Sequence, residues 1–175
     1  MRQNIALLII DAQVNMFAEG SSVFEGEKVL HIISQLIAQA RSAHLPIVYV
    51  QNNGRDGDPD IPGTPGWQIH HAFTPVAGDI VIQKHTPDSF HETNLQSELE
   101  AHHIHQLIIA GLQTDFCVNA TCRQAHALGY DVTLVKDAHS TYDGGGLTAA
   151  QIIAKHNDAL SGVVKVEEAK YIRFE

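Results

Sequence analysis

The chain is short of several things, and each shortage narrows what it can be. Its 175 residues hold two cysteines, too few for a disulfide framework, and no apolar run approaches the ~18 residues that a membrane-crossing helix needs. No signal peptide is visible either, so we expect a soluble, reduced, cytoplasmic protein. Basic residues are scarce: 11 Lys and Arg face 20 Asp and Glu, the net charge is −9, and no basic cluster occurs. Nucleic acids and anionic membranes bind clustered Lys and Arg, so neither is expected as a partner. Glycine is missing from LLIIDAQVNM, residues 7–16, which excludes a phosphate-cradling loop after the first apolar run and disfavours nucleotide binding. There is no internal repeat, low-complexity tract or linker, and the length suits one domain over residues 1–175 with a sizeable core.

What is present centres on residues 106–125, QLIIAGLQTDFCVNATCRQA. Leu107 to Ala110 reads as a buried central strand ended by Gly111, and Val118, Ala120, Thr121, Gln124, Ala125 and Leu128 read as a helix closed by Gly129. Cys117 therefore falls at a strand-to-helix turn, where free backbone N–H groups and the helix dipole are expected to favour a thiolate. A lone cysteine in such a place is otherwise a small core hydrophobe. Cys122, five residues on, lies ~140° around the helix at ~100° per residue and is expected in the core.

Ile5 to Ile10, IALLII, is a strand-length apolar run followed directly by Asp11, which marks its carboxyl end. A helix is expected from Val29 to His44, a strand at IVYVQ after Pro46, and another at DIVIQK, residues 79–84, ending in Lys84. Residues 52–79 carry no apolar periodicity and read as a long binding loop or lid. Further on come a helix over Asn94–Ala101, a strand DVTLV at 131–135, a capping box at Thr148 and Gln151 opening another helix, a strand GVVKV, and a tail YIRFE that could add an edge segment. This alternation implies a parallel sheet covered on both faces. Ligands then bind outside the carboxyl ends of the strands, where Asp11, Lys84 and Cys117 all fall.

A thiol is a weak nucleophile until a base takes its proton. Asp11 is suited to that task, Lys84 to holding the carboxylate and favouring the thiolate, and N–H groups of the turn before Cys117 to receiving an oxyanion. The expected chemistry is amide-type C–N hydrolysis through a thioester acyl-enzyme, with no metal or organic cofactor.

The motifs LLIIDAQ, IQKHTPDSFHETNL and GLQTDFCVNATCRQA, in this order over nearly the whole chain, resemble those of the isochorismatase-like cysteine hydrolase family, which includes nicotinamidases, carbamoylsarcosine amidase and other small-amide hydrolases. The resemblance implies a three-layer α/β/α sandwich whose six-stranded parallel sheet runs 3-2-1-4-5-6, with Asp11, Lys84 and Cys117 as the catalytic triad. It also implies a cis peptide between Leu112 and Gln113, an oxyanion hole made by the Gln113 and Cys117 N–H groups, and homo-oligomers such as dimers or tetramers. Nicotinamidases follow strand 2 with a metal-holding Asp-x-His pair, whereas this chain has Gln51, Asn52, Asn53 and Gly54. Isochorismatases proper cleave a vinyl ether without a thiol nucleophile, so Cys117 favours the amidase branch.

Substrate contacts are expected from Phe17, Trp67, Phe90, Phe116 and Tyr142 near strand-end loops, and from the polar Gln13 and Asn119. Trp67 serves equally as a pin for its loop. The histidine groups at 70–71 and 102–105 lack a carboxylate at ligand spacing, and no metal is assigned to them. Two other functions remain open at this point. One is ether or ester cleavage run by Asp11 alone, and the other is a non-catalytic module that binds small molecules.

Overall fold

The computed structural model describes residues 4–174. Its elements are β1 (Ile5–Ile10), α1 (Gly26–Ser42), β2 (Ile47–Asn52), β3 (Ile80–Lys84), α2 (Leu95–Ala101), β4 (Gln106–Leu112), α3 (Asn119–Ala127), β5 (Asp131–Ser140), α4 (Ala149–Ser161) and β6 (Lys165–Glu167). The strands form one six-stranded parallel sheet in the order β3-β2-β1-β4-β5-β6. Order and orientation are those expected from the resemblance.

β1 shows why a continuous apolar run sits at the centre of such a sheet. Successive side chains of a strand point to opposite faces. Ile5, Leu7 and Ile9 join the cluster under α1, while Ala6, Leu8 and Ile10 join the cluster under α2, α3 and α4. Helices therefore cover both faces, and a polar residue inside β1 would be buried whichever way it pointed. Strand order reverses at β1, whose neighbours are β2 on one side and β4 on the other.

Several boundaries differ from the sequence reading, each for a local reason. α1 begins a turn early, at Gly26, which packs against Ser22 and Phe17 where a Cβ would not fit. It ends at Ser42, because His44 adopts φ 57° and turns the chain toward Pro46. β5 continues past Val135 to Ser140: its register against β4 jumps from Ile109↔Leu134 to Gly111↔His139, so a bulge absorbs residues such as the exposed Lys136. β6 is shorter than GVVKV, since the N–H groups of Val163 and Val164 close the end of α4 on Leu160 O. The tail forms a short 3-10 turn, Ala169–Tyr171, and tucks Ile172 and Phe174 into the α1-side cluster instead of adding a strand; Glu175 lies outside the described residues. The capping box on α4 is formed in both directions, Gln151 N–H to Thr148 Oγ1 at 3.2 Å and Thr148 N–H to Gln151 Oε1 at 2.9 Å.

Gly111 adopts φ 132°, and an added Cβ there would run into the Ile10 backbone. Gly111→Ala is therefore expected to cost at least ~2 kcal/mol, from the strained φ and the clash together, read as a lower midpoint in urea unfolding.

His139 is buried between β5 and α4, where its Nε2 faces Asn157 Oδ1 at 2.9 Å and its Nδ1 faces Thr114 Oγ1 at 2.8 Å. Burial moves its pKa from 6.5 down to about 4, against the Asn157 hydrogen bond; His156 nearby lowers it further and Asp137 opposes. Between these two values the unfolded chain binds a proton that the folded chain refuses. The contribution of His139 is thus complete above pH 6.5 and is lost as pH falls toward 4. The loss should reach the order of 3 kcal/mol. Unfolding midpoints across that range should fall less steeply for His139→Gln than for the unmodified chain.

Candidate active site

The sheet brings three distant residues to one rim. Asp11 directly follows β1, its N–H donates to Val50 O at 2.8 Å, and the left-handed turn at φ 48° places its carboxyl where β1, β2 and β4 end. Lys84 is the last residue of β3 and pairs in register with Asn52 of β2. To reach Asp11 it must cross the end of β2, a span of roughly 10 Å for two strand spacings, which its long stem covers in part and sheet twist in part. Cys117 lies in a π-helical turn, Thr114–Val118, that joins β4 to α3. The Leu112–Gln113 peptide leading into that turn is cis.

The Lys84 side chain is 0% exposed. Its Nζ donates to Asp11 Oδ2 at 2.9 Å, to Asn52 Oδ1 at 3.1 Å and to Cys117 Sγ at 3.3 Å. An ammonium has three donors, so all are taken. Burial alone would strip its proton, but the Asp11 charge and the Cys117 sulfur outweigh that and hold its pKa up. Burial also raises the Asp11 pKa, against the pull of Lys84, so the carboxyl is a stronger base than a free aspartate. Asp11 Oδ1 has no protein partner in hydrogen-bond geometry among the described residues.

Here the structure corrects the sequence reading. The turn was expected to ionise Cys117 early, yet burial pushes its pKa up to about 12 and the Asp11 charge adds to that, with Lys84 opposing. Two anions sharing one buried ammonium are disfavoured, and the proton stays on sulfur while Asp11 is charged. Asp11, Lys84 and Cys117 thus share their protons, and thiolate arises only as the proton passes to Asp11. Cys122, by contrast, is fully buried in the core.

The turn is held from several sides. Thr114 meets His139 as described, Thr141 donates from Oγ1 to Asp115 Oδ1 at 2.6 Å, and Ser89 ties the loop after β3 to Thr121 of α3 at 2.8 Å between hydroxyls. The Gln113 N–H, one of the two expected oxyanion donors, takes no acceptor among the described residues.

The expected substrate contacts divide. Phe116 is 56% exposed on the turn and, with Gln113, Thr141 and Tyr142, borders a cavity of about 540 Å³. Tyr142 also donates its hydroxyl to Ser21 O at 2.9 Å. Phe17 packs edge-on to His70, ring centroids 5.3 Å apart, and Phe90 stacks on Tyr130 at 5.8 Å. Trp67 is a pin: its indole N–H donates to Asn53 Oδ1 at 2.7 Å and its carbonyl accepts from Gln13 and Gln51, both at 2.9 Å. The two polar candidates are both engaged within the protein. Gln13 is buried, with its amide spent on the main chain of Asn52 and Trp67, and so holds the loop rather than a ligand. Asn119 accepts from Arg123 Nε one turn along α3, at 3.0 Å. Sequence reasoning missed Asn52, Asp60 and His139, whose importance depends on partners far away in the chain.

Comparison with known proteins agrees with this fold. The Isochorismatase domain family matches residues 5–163. Over 138 residues, 79% of this chain and 50% of the relative, the sequence is 38% identical to a streptothricin hydrolase of Streptomyces noursei; the chain spans about half the length of the streptothricin hydrolases it matches. It is 37% identical to the secreted isochorismatase effector Isc1 of Verticillium dahliae over 86% of this chain and 80% of that one. Against the ureidoacrylate amidohydrolase RutB of Caulobacter vibrioides it is 29% identical, over 76% and 75% of the two chains. The crystal structure of an isochorismatase from Pseudomonas putida KT2440 superposes with a TM-score of 0.93 at 28% identity, covering 98% of this chain and 91% of that one. No helix of the described residues is long and apolar enough to cross a membrane. The sheet order, the turn that carries Cys117 and a family match running through nearly every element lead to one assignment: the chain belongs to the isochorismatase family.

Proposed function

We propose that this hydrolase cleaves an amide-type C–N bond of a small molecule, with Cys117 as nucleophile, Asp11 as the proton carrier and Lys84 as the fixed charge between them. The observation that carries the reading is the Lys84 ammonium, buried and shared between the Asp11 carboxylate at 2.9 Å and the Cys117 sulfur at 3.3 Å. Support comes also from the amidohydrolase among the relatives.

The steps follow from the proton positions. Asp11 takes the thiol proton as sulfur attacks the carbonyl carbon, and Lys84 balances the charge passing between sulfur and carboxylate. The new oxyanion accepts from the Gln113 and Cys117 N–H groups. The C–N bond breaks as Asp11 returns its proton to the leaving nitrogen, and the amine departs from a thioester. Water then attacks the thioester, gives a proton to Asp11, and the acid product leaves as that proton returns to sulfur. Lys84 stays charged throughout. Phe116 and Tyr142 are the side chains we assign to substrate, since Phe116 adjoins Cys117 in the chain and both border, with Gln113, a cavity of about 540 Å³ whose lining lies next to the Asp11, Lys84 and Cys117 side chains without including them. Phe17, Trp67 and Phe90 shape its surroundings from their own packing sites.

One observation favours a second reading. A thiol held protonated beside a carboxyl of raised pKa also suits ether or ester cleavage run by Asp11 with no covalent step.

Cys117→Ala separates the two. Under the amidase reading it should abolish release of ammonia or amine from a panel of small amides, ureas and lactams, a loss of at least ~10³-fold in kcat, with an unchanged circular dichroism spectrum. Retained turnover would transfer the chemistry to Asp11. Acid should inactivate the unmodified enzyme with a midpoint above the ordinary aspartate value of 3.8, because Asp11 works in its ionised form and burial raises its pKa.

A further inference from the structure

Lys84 has a third partner that the reaction itself does not require. Asn52 accepts from Lys84 Nζ with its Oδ1 at 3.1 Å, and its Nδ2 donates to Asp60 Oδ2 at 2.7 Å. Asp60 comes from the long loop after β2 and is only 6% exposed, although it is acidic. The loop is built to bring it there: Gly54 N–H donates to Asp60 O at 2.9 Å, and a Cβ on Gly54 would collide with the Asp60 carboxylate. Asn52 is fixed in turn, because its own N–H and carbonyl are held by the Gln13 amide at 2.8 and 3.0 Å. A carboxylate accepting from Nδ2 also settles which end of the Asn52 amide faces Lys84.

We propose that Asp60, acting through the Asn52 amide, is a positioning residue that orients the Lys84 ammonium between Asp11 and Cys117 and places a second negative charge behind it. Lys84 then has a complete set of acceptors and no freedom to rotate away as charge moves from carboxylate to sulfur. The second charge acts on the proton carrier. Through the Asn52 amide Asp60 sits behind Lys84 and opposes ionisation of Asp11, so it makes Asp11 the better acceptor of the thiol proton. The inference rests on the reading of Asp11, Lys84 and Cys117 as the reacting groups, and it concerns their protons, not the substrate.

Iodoacetamide reports on those protons without any substrate. The rate at which it alkylates Cys117, followed by peptide mass spectrometry from roughly pH 4 to 10, should rise to a plateau as the trio loses its first proton. In Asp60→Asn, which keeps the shape and loses the charge, the rise should move at least ~0.5 unit toward acid and the plateau should drop by roughly threefold or more. Asn52→Ala, which leaves one Lys84 donor unpaired, should lower the plateau as well. A merely structural role would shift the unfolding midpoint and leave the alkylation profile in place. A folded Asp60→Asn whose profile overlays the unmodified one overturns the proposal. If that variant does not fold, a folded Asn52→Ala with an unchanged plateau overturns it. If neither folds, the pair is a structural strut and the proposal is likewise overturned. Should amides be hydrolysed in a Cys117-dependent way while the profile stays put, only this inference fails. Should the profile move in a protein that hydrolyses no amide, only the amidase reading fails.

Discussion

A lysine ammonium with no access to water is the constraint around which this molecule is arranged. Removing such a charge from solvent costs several kcal/mol, and the charge persists only where acceptors surround it. Asp11, Asn52 and Cys117 meet that demand from the ends of β1 and β2 and from the turn after β4. Much of the surrounding architecture follows. β1 must lie between β2 and β4, β3 must flank β2, and the chain must leave β4 through a tight turn. The same arrangement makes the site hard to dismantle piecemeal, since loss of any acceptor strands a buried cation.

The fold was largely legible because its signals are local. IALLII is followed at once by a carboxylate and IVIQK ends in an amine, and an apolar run that stops at a charge in a two-sided parallel sheet can only be reaching a strand end. Where the reading slipped, the competing signal was tertiary. KDAHS looks like the start of a loop, yet a bulge carries Lys136 outward and returns His139 and Ser140 to the sheet. GVVKV looks like a strand, yet two of its valines finish a helix.

The meeting of Asp11, Lys84 and Cys117 was legible, but not their protonation. A cysteine at a strand-to-helix turn invites the expectation of an early thiolate, because sequence displays the turn and conceals both the partial burial of the sulfur and the nearness of a second anion. Gln13 shows the converse: a glutamine two residues after Asp11 resembles a ligand contact, and only the fold reveals that its amide is spent on the main chain of two other segments. Asn52 and Asp60 were invisible for the same reason, being ordinary loop residues until β2 and β3 pair.

The way the long loop is fastened bears on how members of this family diversify. Gln13 and Gln51 grip it by the carbonyl of Trp67, and Gln13 grips the chain at Asn52 by its peptide groups. A clasp on backbone atoms is indifferent to what the neighbouring side chains are. New surfaces over the rim can therefore be sampled by exchange of loop residues other than Gly54 and Asp60 while Asp11, Lys84 and Cys117 stay in place, which separates the inheritance of the site from the inheritance of its target.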